Sequence, residues 1–208
     1  MRKVLLAALV ALIVPVAAQA QYQLGLRLGY GSAMGDAFAF KGAEAVKMSD
    51  SLKSAVPLQL DATYKINKDW AAGLYLNYGF AQMSDAACKA NSPAGTDCSS
   101  TGSTLGVGAQ GFYTFNQVTG PFVPWAGLGL GWEQASVKQS SDTNTFSGFQ
   151  ASLQIGGDYK VNEQLSVGPY LSYAYGQYSS ISLPSGAPDT ETKAHQWLGV
   201  GVLGKFNL

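Results

Sequence analysis

The sequence predicts an all-β protein: an eight-stranded antiparallel up-and-down transmembrane β-barrel. Three observations lead there. Eight segments alternate apolar and polar residues with period two, and their apolar faces carry no Asp, Glu, Lys or Arg. The connections between segments alternate short and long, which puts every long one at the same end of an up-and-down sheet. Aromatic residues gather at both ends of the apolar faces, as rings do at two lipid–water interfaces. A soluble barrel would turn its charges outward and its apolar residues inward. Lipid accounts for the strict sorting, because a Lys or Arg facing hydrocarbon at mid-depth costs about 2–4 kcal/mol. Every backbone group in hydrocarbon also needs a partner, so the sheet must close by pairing its first strand with its last.

Residues 1–20 read as a secretory signal. Arg2 and Lys3 form a charged start, Val4 to Val16 an apolar run and Ala18-Gln19-Ala20 a cleavage site. The run is too short to span a bilayer as a helix, which leaves 21–208 as one barrel domain. Without Arg2 and Lys3 the 13 basic residues become 11 against 13 acidic ones, a net charge of about −2. That excludes the basic footprint of a nucleic-acid binder. The 25 glycines and 11 tyrosines suit a twisted, closed sheet with aromatic bands better than a helical bundle.

The first strand is expected over Tyr22–Ser32, with Leu24, Leu26 and Leu28 on one face and Arg27 among glycines on the other. A long segment follows to about Lys53, in which Gly42 to Lys53 carries a weak helix signal worth a turn or two. The second strand, Ala55–Ile66, sets Leu58, Leu60 and Ala62 against Gln59, Asp61 and Lys65. Asn67-Lys68-Asp69 turns the chain into the third strand, Trp70–Gln82. The fourth, Thr104–Phe115, and the fifth, Phe122–Gln134, flank a turn over Asn116–Pro121, and the fifth points Trp125 and Glu133 away from Leu128 and Leu130. A polar loop is expected from Ala135 to Ser147. The sixth strand, Gly148–Val161, bears Asp158 and Lys160 on its polar face, and Asn162-Glu163-Gln164 leads to the seventh, Leu165–Gln177. A Ser-, Pro- and Gly-rich loop from Tyr178 to Ala194 precedes the last strand, His195–Leu208, whose Lys205 lies opposite Val200 and Val202.

Chemistry is sparse on this frame. Cys88 and Cys98 form an even pair in an exported chain and read as one disulfide, worth about 2–3 kcal/mol by the chain-entropy account. No CxxC or Cys/His metal spacing occurs, and no metal or cofactor is expected. An eight-stranded barrel has room inside for little beyond side chains. Arg27, Asp61, Lys65, Glu133, Asp158, Lys160 and Lys205 project there and must pair or stay hydrated. A lumen network including Arg27, Asp61, Asp158 and Lys205 is expected as structural filling. The sharper alternative is a narrow pore for small solutes, in which inward glycines leave room that Trp125, Trp197, Tyr75, Phe112 and Tyr170 either fill or leave open. Catalysis would need a nucleophile beside a base near the outer interface. The one histidine, His195, has no serine two residues away and reads as an interfacial loop residue, so no enzyme is expected. The long loops, about 34–53, 84–102, 135–147 and 178–194, suit contact with a surface partner.

Pro121 to Trp132 (PFVPWAGLGLGW) and the terminal GVGVLGKFNL resemble the small outer-membrane β-barrel proteins of Gram-negative bacteria, porin-like and OmpA/OmpX-like. The terminal residue departs from that family's usual Phe: Leu208 stands there, with Phe206 two before it. The resemblance implies an outer-membrane location and insertion by the barrel-assembly machinery. A monomer among outer-membrane lipid and lipopolysaccharide is expected. The resemblance is unspecific for activity and transfers no catalytic or ligand residues; the role expected of this barrel is structural or envelope-interacting.

Overall fold

The computed structural model describes residues 21–40, 44–84, 101–118, 120–139, 142–182 and 190–208. The expected signal and both cysteines, Cys88 and Cys98, lie outside the described residues. In chain order the elements are β1 (Tyr22–Phe40), β2 (Ala45–Lys47), α1 (Met48–Ser51), β3 (Leu52–Lys65), β4 (Trp70–Met83), β5 (Thr101–Thr114), β6 (Phe122–Gln139), β7 (Asp142–Lys160), β8 (Leu165–Ser182), β9 (Thr190–Thr192) and β10 (Ala194–Asn207). The eight long strands pair antiparallel with their neighbours in turn. β1 then joins β10 from Gln23↔Asn207 to Gly35↔His195, which closes the barrel.

The wall is inside out, as the alternation requires. Leu26, Leu60, Leu74, Leu128, Leu153 and Val200 are 51–66% exposed, while Arg27, Asp61 and Glu133, on the other face, are at most 5% exposed. Aromatic pairs band both rims. Tyr22 meets Tyr64 at 5.1 Å between centroids and Trp70 meets Tyr113 at 4.9 Å at the turn end, and Tyr78 meets Phe80 at 5.1 Å at the other.

The short turns are set by asparagine. Asn67 Oδ1 accepts from the backbone N–H groups of Asp69 (2.9 Å) and Trp70 (2.8 Å). Asn162 does the same for Gln164 (2.9 Å) and Leu165 (2.8 Å). Both side chains replace a turn's own backbone bond. The β1–β3 ladder skips from Leu28↔Leu58 to Gly31↔Ala55 around Pro57, which has no N–H to give.

The far ends of the strands correct the expected boundaries. Ala135–Gln139 and Asp142–Ser147, expected in a loop, are strand: β6 and β7 pair through them as far as Gln139↔Asp142. β1 likewise continues to Phe40, and β8 to Ser182. These extensions persist because they bury apolar side chains inside the rim. Ala33, Ala37, Met48, Leu52, Ala135, Val137, Phe146 and Tyr178 form one cluster, each at most 8% exposed. Gly35, at φ 77°, adopts a backbone shape open to glycine and supplies the bend. There β1 leaves β10 and pairs instead with β2 from Asp36 and with β9 from Phe38. The helix signal between Gly42 and Lys53 reduces to the single turn α1, which tucks Met48, 2% exposed, into the mouth.

Candidate functional site

The lumen holds the buried charges, in two layers. The lower layer, toward the turn end, centres on Arg27 of β1. Its Nε donates to Asp61 Oδ2 at 2.6 Å, and its Nη1 donates to Gln154 Oε1 at 2.6 Å across the barrel. Asp61 Oδ1 also accepts from Gln59 (2.7 Å) and Gln110 (2.8 Å). Three rings surround the guanidinium, Phe112, Trp125 and Tyr170, with centroids 5.4–5.7 Å from its Cζ. A cation held between ring faces is stabilised by their quadrupoles, more so when water is excluded. Lys205 donates to Asp158 Oδ2 at 2.7 Å just below, and Trp125 Nε1 donates to Asp158 Oδ1 at 2.9 Å. Phe112, Trp125, Tyr170 and Leu203, at most 7% exposed, complete a plug across the lumen.

Glycines seat the rings of this plug. A Cβ on Gly127 would stand 2.6 Å from the Phe112 ring, and one on Gly29 2.6 Å from the Tyr170 hydroxyl. Small residues on one strand thus make the volume that large residues on another fill.

The upper layer centres on Glu133 of β6, 4% exposed. Its carboxylate accepts from Trp197 Nε1 (3.2 Å), from the Tyr178 hydroxyl (3.3 Å) and from the Gln150 side-chain amide. His195 Nε2 stands 3.5 Å from Glu133 Oε2, and the imidazole stacks on Tyr178 with centroids 4.1 Å apart at 18°. His195 is fully buried, and its register partner Gly176 leaves room for the ring. This corrects the expectation of an interfacial loop histidine: in the closure register His195 takes the inward phase of β10, and the cluster above seals it from outside.

The layers divide the lumen into two spaces. A cavity of about 100 Å³ lies between them, lined by residues of both. A wider vestibule of about 690 Å³ opens at the turn end, where Lys65, Lys160 and Lys205 face inward.

The sequence matches the family described as outer membrane protein beta-barrel domain over residues 4–206. The chain belongs to that family. It is therefore an outer-membrane protein whose barrel wall faces lipid. No curated protein matches it by sequence. Solved structures similar to this outer-membrane barrel include Neisserial surface protein A, at a TM-score of 0.57 and 15% identity, covering 90% of this chain and 97% of that one. The outer-membrane protein AlkL, solved in DMPC bilayers, aligns at a TM-score of 0.54 and 14% identity, covering 91% and 92%. At such identities both likenesses are of fold.

The seven charged residues expected inside this outer-membrane barrel fall into separate groups. Arg27 meets Asp61, and Asp158 meets Lys205. Lys65 donates to Asn207 Oδ1 at 2.7 Å at the turn-end mouth, which Lys160 also lines. Glu133 stands apart, with no lysine or arginine against it among the described residues. The neutral partners Gln59, Gln110 and Gln154 lay on polar faces in the sequence, but period-two alternation marks every inward residue alike. Tyr178 opens the Ser-, Pro- and Gly-rich stretch whose composition is that of a loop, so nothing in the sequence signals its contact with Glu133.

Proposed function

We propose that the protein is a non-conducting outer-membrane barrel with a structural or surface-interaction role, exercised through the β-structured rim above the membrane. One observation carries this reading. Arg27, 2% exposed, reaches both Asp61 on β3 and Gln154 on β7 at 2.6 Å, so its guanidinium bridges the lumen between them. Separating such a buried pair leaves a charge uncompensated and costs about 3–5 kcal/mol. The rim supports the second half of the proposal. Strands that continue past the membrane around their own apolar cluster form a stiff platform, and rigid scaffolds commonly present binding surfaces in this way.

A narrow pore is the second reading, favoured by the vestibule that admits water as far as the Lys205–Asp158 pair. A hydrolytic reading would need its base at the outer interface, whereas the only histidine lies buried against Glu133 and Tyr178. Single-channel recording of the purified protein in planar bilayers separates the first two. The proposal predicts a flat baseline at neutral pH; discrete, reproducible openings would establish the pore instead.

A further inference from the structure

Between the Arg27 plug and the Glu133 layer the lumen is not filled by side chains. The 100 Å³ chamber there is walled by polar groups of both layers, with Asn77, Ser152 and Ser172 between them. Two buried atoms of its lining residues have no hydrogen-bond partner, Arg27 Nη2 and Asn77 Oδ1. The other guanidinium nitrogens that bond, Nε and Nη1, are committed to Asp61 and Gln154 in the floor. A buried donor left unpaired costs about 1–3 kcal/mol, and more on a charged group.

One orphan is a donor and the other an acceptor, which selects the guest. An apolar guest would leave both unpaired. An anion would face the Glu133 carboxylate on the same wall, and a cation the guanidinium. An uncharged molecule that both donates and accepts meets every requirement, and about 100 Å³ of space for water centres has room for several waters.

The chamber's two ends are built independently. The floor is Phe112, Trp125, Tyr170 and Leu203 around Arg27. The roof is Glu133 with Gln150, Tyr178, His195 and Trp197, beneath the apolar cluster. The hydrogen bonds named for the floor and those named for the roof share no residue. We infer that this chamber is a water-holding compartment closed by two separate gates, not a flaw in one continuous plug. The inference rests on the non-conducting reading above, since both gates must be shut at rest.

A thiol reporter tests it. Ser172→Cys, which lines the chamber, is made in full-length protein with Cys88→Ser and Cys98→Ser, reconstituted with known sidedness and exposed to a small water-soluble methanethiosulfonate. With both gates intact the reporter should react at least about tenfold more slowly than in either gate variant, because reaction waits on local opening. Trp125→Ala, with Leu203→Ala as a second floor variant, should admit reagent from the turn side only. Tyr178→Ala should admit it from the outer side only. Neither gate variant alone should conduct, and the floor–roof double variant should. Fast labelling with both gates intact and a flat current would overturn the gates yet leave the non-conducting reading standing; channel events in the unmodified protein would overturn that reading itself. A second test needs no gate variant. A crystal structure should show ordered water joining Arg27 and Asn77. Gly106→Ala, whose Cβ would find its nearest neighbour at 3.6 Å, should fold normally and displace part of that water. A chamber without ordered water would refute the assignment.

Discussion

Arg27 shows how one buried charge can be met on several sides at once. Its charge has left water, yet a carboxylate, a glutamine amide and three ring faces meet it. Buried pairs of this kind add little net stability over apolar filling, but breaking one from a single side is expensive. Arg27→Met should therefore destabilise the barrel by about 3–5 kcal/mol, read by urea unfolding in detergent micelles with tryptophan fluorescence. The double variant Arg27→Met with Asp61→Leu should lose much less than the single. Equal losses would mean that packing, not charge, is what Arg27 contributes. The Glu133 layer offers a steric counterpart. A Cβ on Gly176 would come within 2.7 Å of the His195 ring. Gly176→Ala should displace that imidazole and cost about 1–3 kcal/mol, as overpacking does. The histidine's NMR chemical shifts would report the displacement directly, and unchanged shifts would count against the contact.

Among the elements, the β6–β7 hairpin carries the clearest lesson about reading this chain. Its membrane-spanning half was legible from Leu128, Leu130, Leu153 and Ile155, whose exposure to lipid leaves a strict alternation. Its upper half was not. Ala135, Val137 and Phe146 alternate too, but they are spaced by Ser, Lys, Gln, Asp and Asn, the composition of a loop. What makes them strand is a tertiary partner that the sequence does not display: the cluster formed with Ala33, Met48, Leu52 and Tyr178. The same reasoning explains His195, whose neighbours come from three strands. Phe146→Ala should cost about 3–5 kcal/mol locally. Hydrogen exchange should then quicken in β6 and β7 beyond Ala135 and Ser147 while amides near Leu128 and Leu153 stay protected. Uniform acceleration along both strands would show that the rim and the membrane wall unfold together.

At the scale of the whole molecule, fold and compartment were readable because lipid imposes a rule on every strand at once. One charge on the lipid face would have broken the pattern, and none does. The lumen obeys a looser rule, that polar groups find partners, and many pairings satisfy it. The sequence therefore showed which charges go inside but not that Arg27 takes Asp61 while Glu133 takes only neutral donors and a histidine. The central claim remains the orientation of the wall, with apolar residues on acyl chains and charges enclosed. Nitroxide labels at Leu74, Leu128 and Val200, read in lipid vesicles by collision with oxygen and with a water-soluble nickel chelate, test it most directly. All three should collide readily with oxygen and hardly at all with the chelate; chelate collisions at the level of a water-exposed rim site would contradict the account.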